Sequence, residues 1–252
     1  MRGGGVIELS WRERVSVLTM RHGKVNALDV ELCRALVGAV DSAVDAGAQA
    51  VVVTGSGGAF SAGVDLRRVI AGGEAYVADL LPALQGVFDR LARLELPVVA
   101  AVNGHAIAGG FVLLAAADRA LMADGPGRLG VTELLVGVPI SSMGMALVGR
   151  RAGEVPWRRL VLEGSTLSAG QAVAGGVVDE LVAPQHLIQR SVEAAARLAS
   201  LGPAFVITKR QLRAELEARI QRLAEFDPEV EAVWRDPRTL ERIRSYMDSL
   251  RR

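Results

Sequence analysis

Ala50-Val51-Val52-Val53-Thr54 runs directly into Gly55-Ser56-Gly57-Gly58, and Pro97-Val98-Val99-Ala100-Ala101-Val102 runs into Asn103-Gly104-His105-Ala106-Ile107-Ala108-Gly109-Gly110. Each is a short, continuous apolar run bounded by turn residues, which reads as a buried strand. Helical sequence follows both: Leu66 to Ile70 and Tyr76 to Leu94 after the first loop, Phe111 to Ala117 after the second, with another strand near Arg119 to Ala123. Strand, glycine loop and helix, occurring twice, predict an α/β fold. Both loops fall where such folds place ligands.

Working outward, Val6 to Leu9 and Val15 to Met20 flank a polar link, Ser10 to Arg14, and predict a hairpin. Leu32, Leu36, Val40 and Val44 form one stripe of a helix from about Asp29 to Ala46, ended by Gly47. After Val136 the chain reads as mostly helical, with candidates at 142–150, 157–163, 169–174, 186–201, 204–225 and 239–250. The last of these are too amphipathic to stand alone and are expected to pack on the core or on a neighbouring subunit. No internal sequence repeat, low-complexity linker or charge block divides the chain.

Composition excludes several classes. Of 252 residues half are hydrophobic, enough for a sizeable core, and 29 Lys+Arg against 28 Asp+Glu give a formal charge of +1. No global field draws such a chain to nucleic acid or an anionic membrane. The single cysteine, Cys33, makes no intramolecular disulfide or multi-cysteine zinc site. His22, His105 and His186 lack ligand spacing, so no metal is expected. The longest apolar tract, Pro97 to Ala117, is broken by Asn103-Gly104-His105 and Gly109-Gly110, and the N-terminus has no apolar leader. The expected setting is the cytoplasm.

Two glycine-rich loops with free N–H groups, brought together, can stabilise one developing oxyanion. Neither is a P-loop or a dinucleotide fingerprint, and no Gly-x-Ser-x-Gly elbow is present. Phe60-Ser61-Ala62-Gly63-Val64-Asp65-Leu66, Val102 to Gly110, and Val131-Thr132-Glu133-Leu134-Leu135-Val136-Gly137, in this order, resemble the crotonase (enoyl-CoA hydratase/isomerase) superfamily. The likeness extends to Lys24-Val25-Asn26-Ala27-Leu28, to Leu167 through Asp179, and to Pro203-Ala204-Phe205 with Lys209.

The resemblance implies a spiral of ββα repeats over residues 1–195 carrying the site, and a helical trimerisation region over residues 196–252. It implies an acyl-CoA thioester as substrate, a homotrimer or homohexamer, and no cofactor beyond the coenzyme A of that substrate. By matching motifs, the thioester oxygen falls to the backbone N–H groups of Val64 and Gly109. Lys24, Val25 and Ala27, with Ser61 and Ala62, match the segment that borders coenzyme A, and Lys209 matches a position that approaches its phosphates. For each lysine a solvated surface charge is the equal alternative.

Hydratases of this family use two glutamates. The first of those positions is Val112 here, three residues past Gly109, and valine can neither activate water nor donate a proton. Glu133 holds the second. A carboxylate among apolar neighbours, here Leu134, Leu135 and Val136, has a raised pKa suited to a general base, although an ion pair with Arg128 is the plain structural alternative. One base suffices for an allylic proton shift, so the resemblance points to Δ3-Δ2-enoyl-CoA isomerisation. The alternatives are hydration or another crotonase-type lyase reaction, with a second acid or base from Glu74, Tyr76 or Asp79 in the Gly72–Leu81 segment, and a non-catalytic acyl-CoA binder. Asp65 reads as a helix N-cap and Asp118 as structural. The Val138 to Gly144 stretch, which departs from the family's usual Pro-Gly, shapes the acyl pocket.

Overall fold

The computed structural model describes residues 5–249, with the side chains of residues 154–157 set aside. Met1 to Gly4, the start of the segment in which no leader is read, and Leu250 to Arg252 lie outside the described residues. The N-terminal hairpin forms as read: β1 (Ile7–Arg12) pairs antiparallel with β2 (Val15–Met20). Then α1 (Val30–Asp45) starts where the Asp29 carboxylate accepts the Leu32 N–H at 2.7 Å.

Three successive turns of a spiral follow, each contributing a long strand, a three-residue strand and a helix. The first is β3 (Ala50–Gly55), β4 (Ala59–Ser61) and α2 (Leu66–Arg93). The second is β5 (Val98–Val102), β6 (His105–Ile107) and α3 (Gly109–Ala115), and the third β7 (Arg119–Ala123), β8 (Arg128–Gly130) and α4 (Glu133–Val136). The long strands stack in parallel as β2-β3-β5-β7 within one sheet, and the short ones as β4-β6-β8 within another. The ββα repeat is thus a repeat of topology, without a repeat of sequence.

The remaining elements wrap this spiral. They are α5 (Ser142–Ala152), α6 (Glu154–Glu163), β9 (Thr166–Ser168), α7 (Ala169–Ala174), β10 (Glu180–Val182), α8 (Leu187–Ala199), α9 (Pro203–Leu223), α10 (Asp227–Arg235) and α11 (Pro237–Ser249). β9 extends the small sheet beside β8, and β10 closes the large one beside β7. β3 and β5 are buried throughout, as continuous apolar strands in a covered parallel sheet must be. As the two helical stretches read over 66–94 require, α2 is broken at Gly73, whose φ of 59° and ψ of −149° are not helical.

Asp118, read as structural, anchors the sheet to the C-terminal region. Its carboxylate accepts the Val98 N–H at 2.8 Å and the Lys209 ammonium at 2.6 Å, and that ammonium also donates to Leu96 O at 2.8 Å. Lys209 is 7% exposed, and its desolvation lowers the lysine pKa. Removing one member of a buried pair strands the other, at about 3–5 kcal/mol. Lys209→Met should therefore lose about that much stability in urea unfolding, and Lys209→Met with Asp118→Asn should recover part of it.

Candidate active site

The two glycine loops meet because Leu28 bridges the first one. Leu28 N–H donates to Gly63 O at 2.7 Å and Asp65 N–H donates to Leu28 O at 2.9 Å, a parallel bridge centred on Val64. The bonds come from the residues on either side of Val64, so its own N–H points away from Leu28. Gly63 sits at φ +82°, and a methyl group there would lie 2.8 Å from Ile107 O, 2.9 Å from the Ala108 Cβ and 3.3 Å from Gly109 N. Only glycine permits this backbone conformation and this approach together. Among the described residues neither the Val64 nor the Gly109 N–H has a hydrogen-bond acceptor.

Ala108 aims the second donor. It holds φ 53° and ψ −124°, sparsely populated for a residue with a Cβ, immediately before α3. The conformation is over-determined: Ala108 N–H donates to Gly130 O at 2.7 Å, and Ala108 O accepts from Phe111 and Val112 N–H at 2.8 and 3.1 Å. Strain of this kind costs roughly 1–3 kcal/mol and persists where surrounding bonds enforce it.

Both donors border a cavity of about 570 Å³ whose wall also carries Glu133 and Val112. Glu133 opens α4, which left-handed Gly137 ends after a single turn. Its side chain is 8% exposed, and its Oε2 is buried with no hydrogen-bond partner. Burial raises the carboxyl pKa to about 7, against the opposing pull of the Glu133 and Thr132 N–H groups. Arg128 is no partner to it: that guanidinium binds the Thr166 hydroxyl and carbonyl, each at 2.8 Å. The apolar surroundings match the sequence reading only at Val136, since Leu134 and Leu135 are 42% and 52% exposed. Val112 and Val138, from elsewhere in the chain, join Val136 on the cavity wall that dries the carboxyl.

The segment matched to coenzyme A binding runs beside the first loop. Ala62 N–H donates to Val25 O at 3.0 Å, and the Ser61 hydroxyl to Asn26 O at 2.8 Å. Lys24, Val25 and Ala62 are exposed there and Ala27 half-buried, whereas Ser61 is buried and its hydroxyl serves the loop. The lock on this turn is Asn26, a residue to which the sequence reading assigns no role. Left-handed at φ 49°, it accepts the His22 N–H and donates to Ser56 O and Ala59 O.

Several expected residues do not reach the cavity. Lys209 lines a separate basic cavity with its ammonium committed to Asp118. Glu74 and Asp79 are exposed, and neither they nor Tyr76 line the wall, where α2 presents Leu81, Leu84, Gln85 and Phe88. Asp65 caps α2, accepting the Arg67 and Arg68 N–H groups. His22, read as lacking ligand spacing, lies with Asp29 and Glu31 so that three potential ligand atoms fall within 4.8 Å of one another. Asp29 there already binds His22, Arg68 and the Leu32 N–H. Among the described residues no helix is long and apolar enough to cross a membrane.

The wall is completed by the chain's own C-terminus. Asp227, Glu231 and Trp234 of α10 and Tyr246 of α11 line the cavity, and the Trp234 indole donates to Pro139 O at 3.0 Å. The sequence reading has a helix over 239–250 but none over Asp227–Arg235, and it does not say which surface this region covers.

The family model for enoyl-CoA hydratase/isomerase matches residues 11–236. This chain belongs to that family. A protein of Rhizobium meliloti named probable enoyl-CoA hydratase is 30% identical over 219 residues, 85% of this chain and 83% of its own. A crystal structure of a probable enoyl-CoA hydratase from Mycobacterium tuberculosis superposes with a TM-score of 0.84 at 28% identity, covering 90% of this chain and 97% of that one. Human mitochondrial Δ3-Δ2-enoyl-CoA isomerase superposes at 0.89 over 98% of both chains, at 23% identity a likeness of fold. The crotonase spiral and an acyl-CoA thioester as the family's ligand are thereby established.

Raising a carboxyl pKa by burial makes this family member's stability depend on pH. The folded state holds the Glu133 proton more tightly than the unfolded state, so the site costs no stability below the unfolded value of 4.5. The penalty grows as pH rises and levels off above about 7. Glu133→Gln should therefore be more stable than wild type at pH 8, by up to about 3 kcal/mol, with the difference vanishing near pH 4. Paired urea unfolding curves at the two pH values check this.

Proposed function

We propose that the protein is a Δ3-Δ2-enoyl-CoA isomerase in which Glu133 is the only acid/base. The observation that carries this reading is the state of the carboxyls on the cavity wall. Glu133 alone is buried with a free oxygen, while both Asp227 oxygens are taken by Ser142 and Glu231 is half-exposed and paired with Arg235. Val112, 2% exposed, lines the wall where a hydratase would carry its other glutamate.

In this mechanism the thioester oxygen of a 3-enoyl-CoA sits between the Val64 and Gly109 N–H groups. The Glu133 carboxylate removes a proton from C2, and the electron pair delocalises over the dienolate to that oxygen. The protonated Glu133 then returns the proton to C4, which leaves the 2-enoyl thioester and restores the carboxylate. No water or second acid enters. Each oxyanion donor contributes roughly 2.7–4 kcal/mol to the transition state, and their geometry is fixed before substrate arrives. A base with a pKa of about 7 balances readiness to accept the proton against willingness to return it. Ala62, Lys24, Val25 and Ala27 would border the coenzyme A, with Ser61 acting only through the loop it holds, and assembly into trimers or hexamers belongs to the same reading.

Hydration is the second reading, favoured by the name of the Rhizobium relative. A single assay separates the two: purified protein is offered a 3-enoyl-CoA and, separately, a trans-2-enoyl-CoA, and the conjugated thioester absorbance is followed. Isomerisation predicts rising absorbance with the first and no loss with the second; loss with the second makes the protein a hydratase. Glu133→Gln should lower kcat by roughly 10²–10⁴ while thioester binding persists. For wild type, kcat/KM should rise with pH and level off above about 7, as the carboxyl ionises.

A further inference from the structure

The acyl end of the cavity has an electrostatic bias that the proposed reaction does not need. Beyond Glu133 its wall includes Asp227 and Glu231, and among the described lining residues there is no lysine, arginine or histidine. Asp227 and Glu231 are four residues apart on α10 and so share one helix face. α10 is pinned at both ends: Ser142 donates its N–H and hydroxyl to the two Asp227 oxygens at 2.8 and 2.6 Å, and the Trp234 indole binds Pro139 O at 3.0 Å.

Both pins hold the loop between α4 and α5 and the start of α5, which border Val112. A Cβ on Gly144 would lie 3.5 Å from the Ser141 hydroxyl oxygen and 3.8 Å from Val112 Cγ2. An acyl chain whose thioester oxygen rests on Val64 and Gly109, and whose C2 to C4 face Glu133, continues past Val112 toward this face of α10. Glu231 is half-exposed and pairs with Arg235, whose guanidinium is not on the wall, so Asp227, held by Ser142, is the firmer of the two charges.

An anion entering a largely apolar cavity needs a cation or a set of donors to replace its water. An acyl group ending in a carboxylate would instead meet the fixed Asp227 carboxylate and, one turn along α10, that of Glu231. We propose that Asp227 and Glu231 are specificity determinants that exclude ω-carboxylated acyl thioesters and restrict the site to acyl groups whose far end is uncharged or cationic. Discrimination of this kind needs no added attraction for the accepted substrate, because specificity is a difference between two affinities. The inference rests on the acyl-CoA reading of the cavity but not on the reaction.

Binding of hexanoyl-CoA and adipyl-CoA, unreactive thioesters of equal carbon count that differ by the terminal carboxylate, tests it by calorimetry. Wild type should bind hexanoyl-CoA at least about 30-fold more tightly, as juxtaposed like charges require. Glu231→Lys should shrink that ratio about tenfold by strengthening adipyl-CoA binding, and Glu231→Gln should shrink it less. Equal binding of the two thioesters by wild type, or a ratio that Glu231→Lys leaves unchanged, overturns the inference alone. Failure to bind either thioester overturns the acyl-CoA reading with it. Loss of isomerase activity in the separate assay affects neither outcome.

Discussion

The site takes its geometry from the approach of Gly63 to the Ile107–Gly109 backbone. A side chain on Gly63 would collide with Ile107 O, and one on Gly110 would come within 2.3 Å of Ser61 O. Backbone contact at this distance lets two loops from different turns of the spiral present N–H groups to one point. Leu28 occupies one side of the first loop through its bridge, so Val64 N–H is left facing the other. Donors fixed by the sheets need no reorganisation when charge develops, which is the advantage of main-chain over side-chain stabilisation here.

Glu133 sets chemical need against stability. Its carboxyl could have been satisfied by a nearby guanidinium, but Arg128 is held by Thr166 and points elsewhere. The dry cavity leaves Oε2 without a partner, which costs folding free energy at neutral pH and at the same time produces a proton acceptor of useful strength. Val112, buried on the same cavity, adds an apolar side chain where a second carboxylate would otherwise stand in the hydration reading.

The cavity is a product of the whole chain. Its floor comes from the spiral, one wall from the kinked α2, and another from α10, folded back and fastened through Asp227 and Trp234. On the far side of the core, Lys209 and Asp118 tie α9 to the start of β5. A charge that looked available for ligand phosphates is spent on this junction, because an ammonium buried beside a carboxylate is far better satisfied there than left alone.

The local sequence by itself determined the two buried strands and their glycine loops and the Asp65 cap, and the family resemblance of its motifs marked Glu133 as the candidate base. These are readable because an apolar run, a glycine and a capping carboxylate act within a few residues of themselves. The three-residue strands β4, β6 and β8 were not legible, being too short to show any alternation. Nor was most of the source of Glu133's burial: its neighbour Val136 lines the cavity as read, but Leu134 and Leu135 face solvent, and Val112 and Val138 come from elsewhere in the chain. The partners of Lys209, the locking role of Asn26 and the place of the α10 carboxylates on the cavity wall were likewise settled only by tertiary structure. Each depends on groups brought together from distant parts of the chain, and burial, pairing and cavity charge are properties of that packing rather than of any single segment.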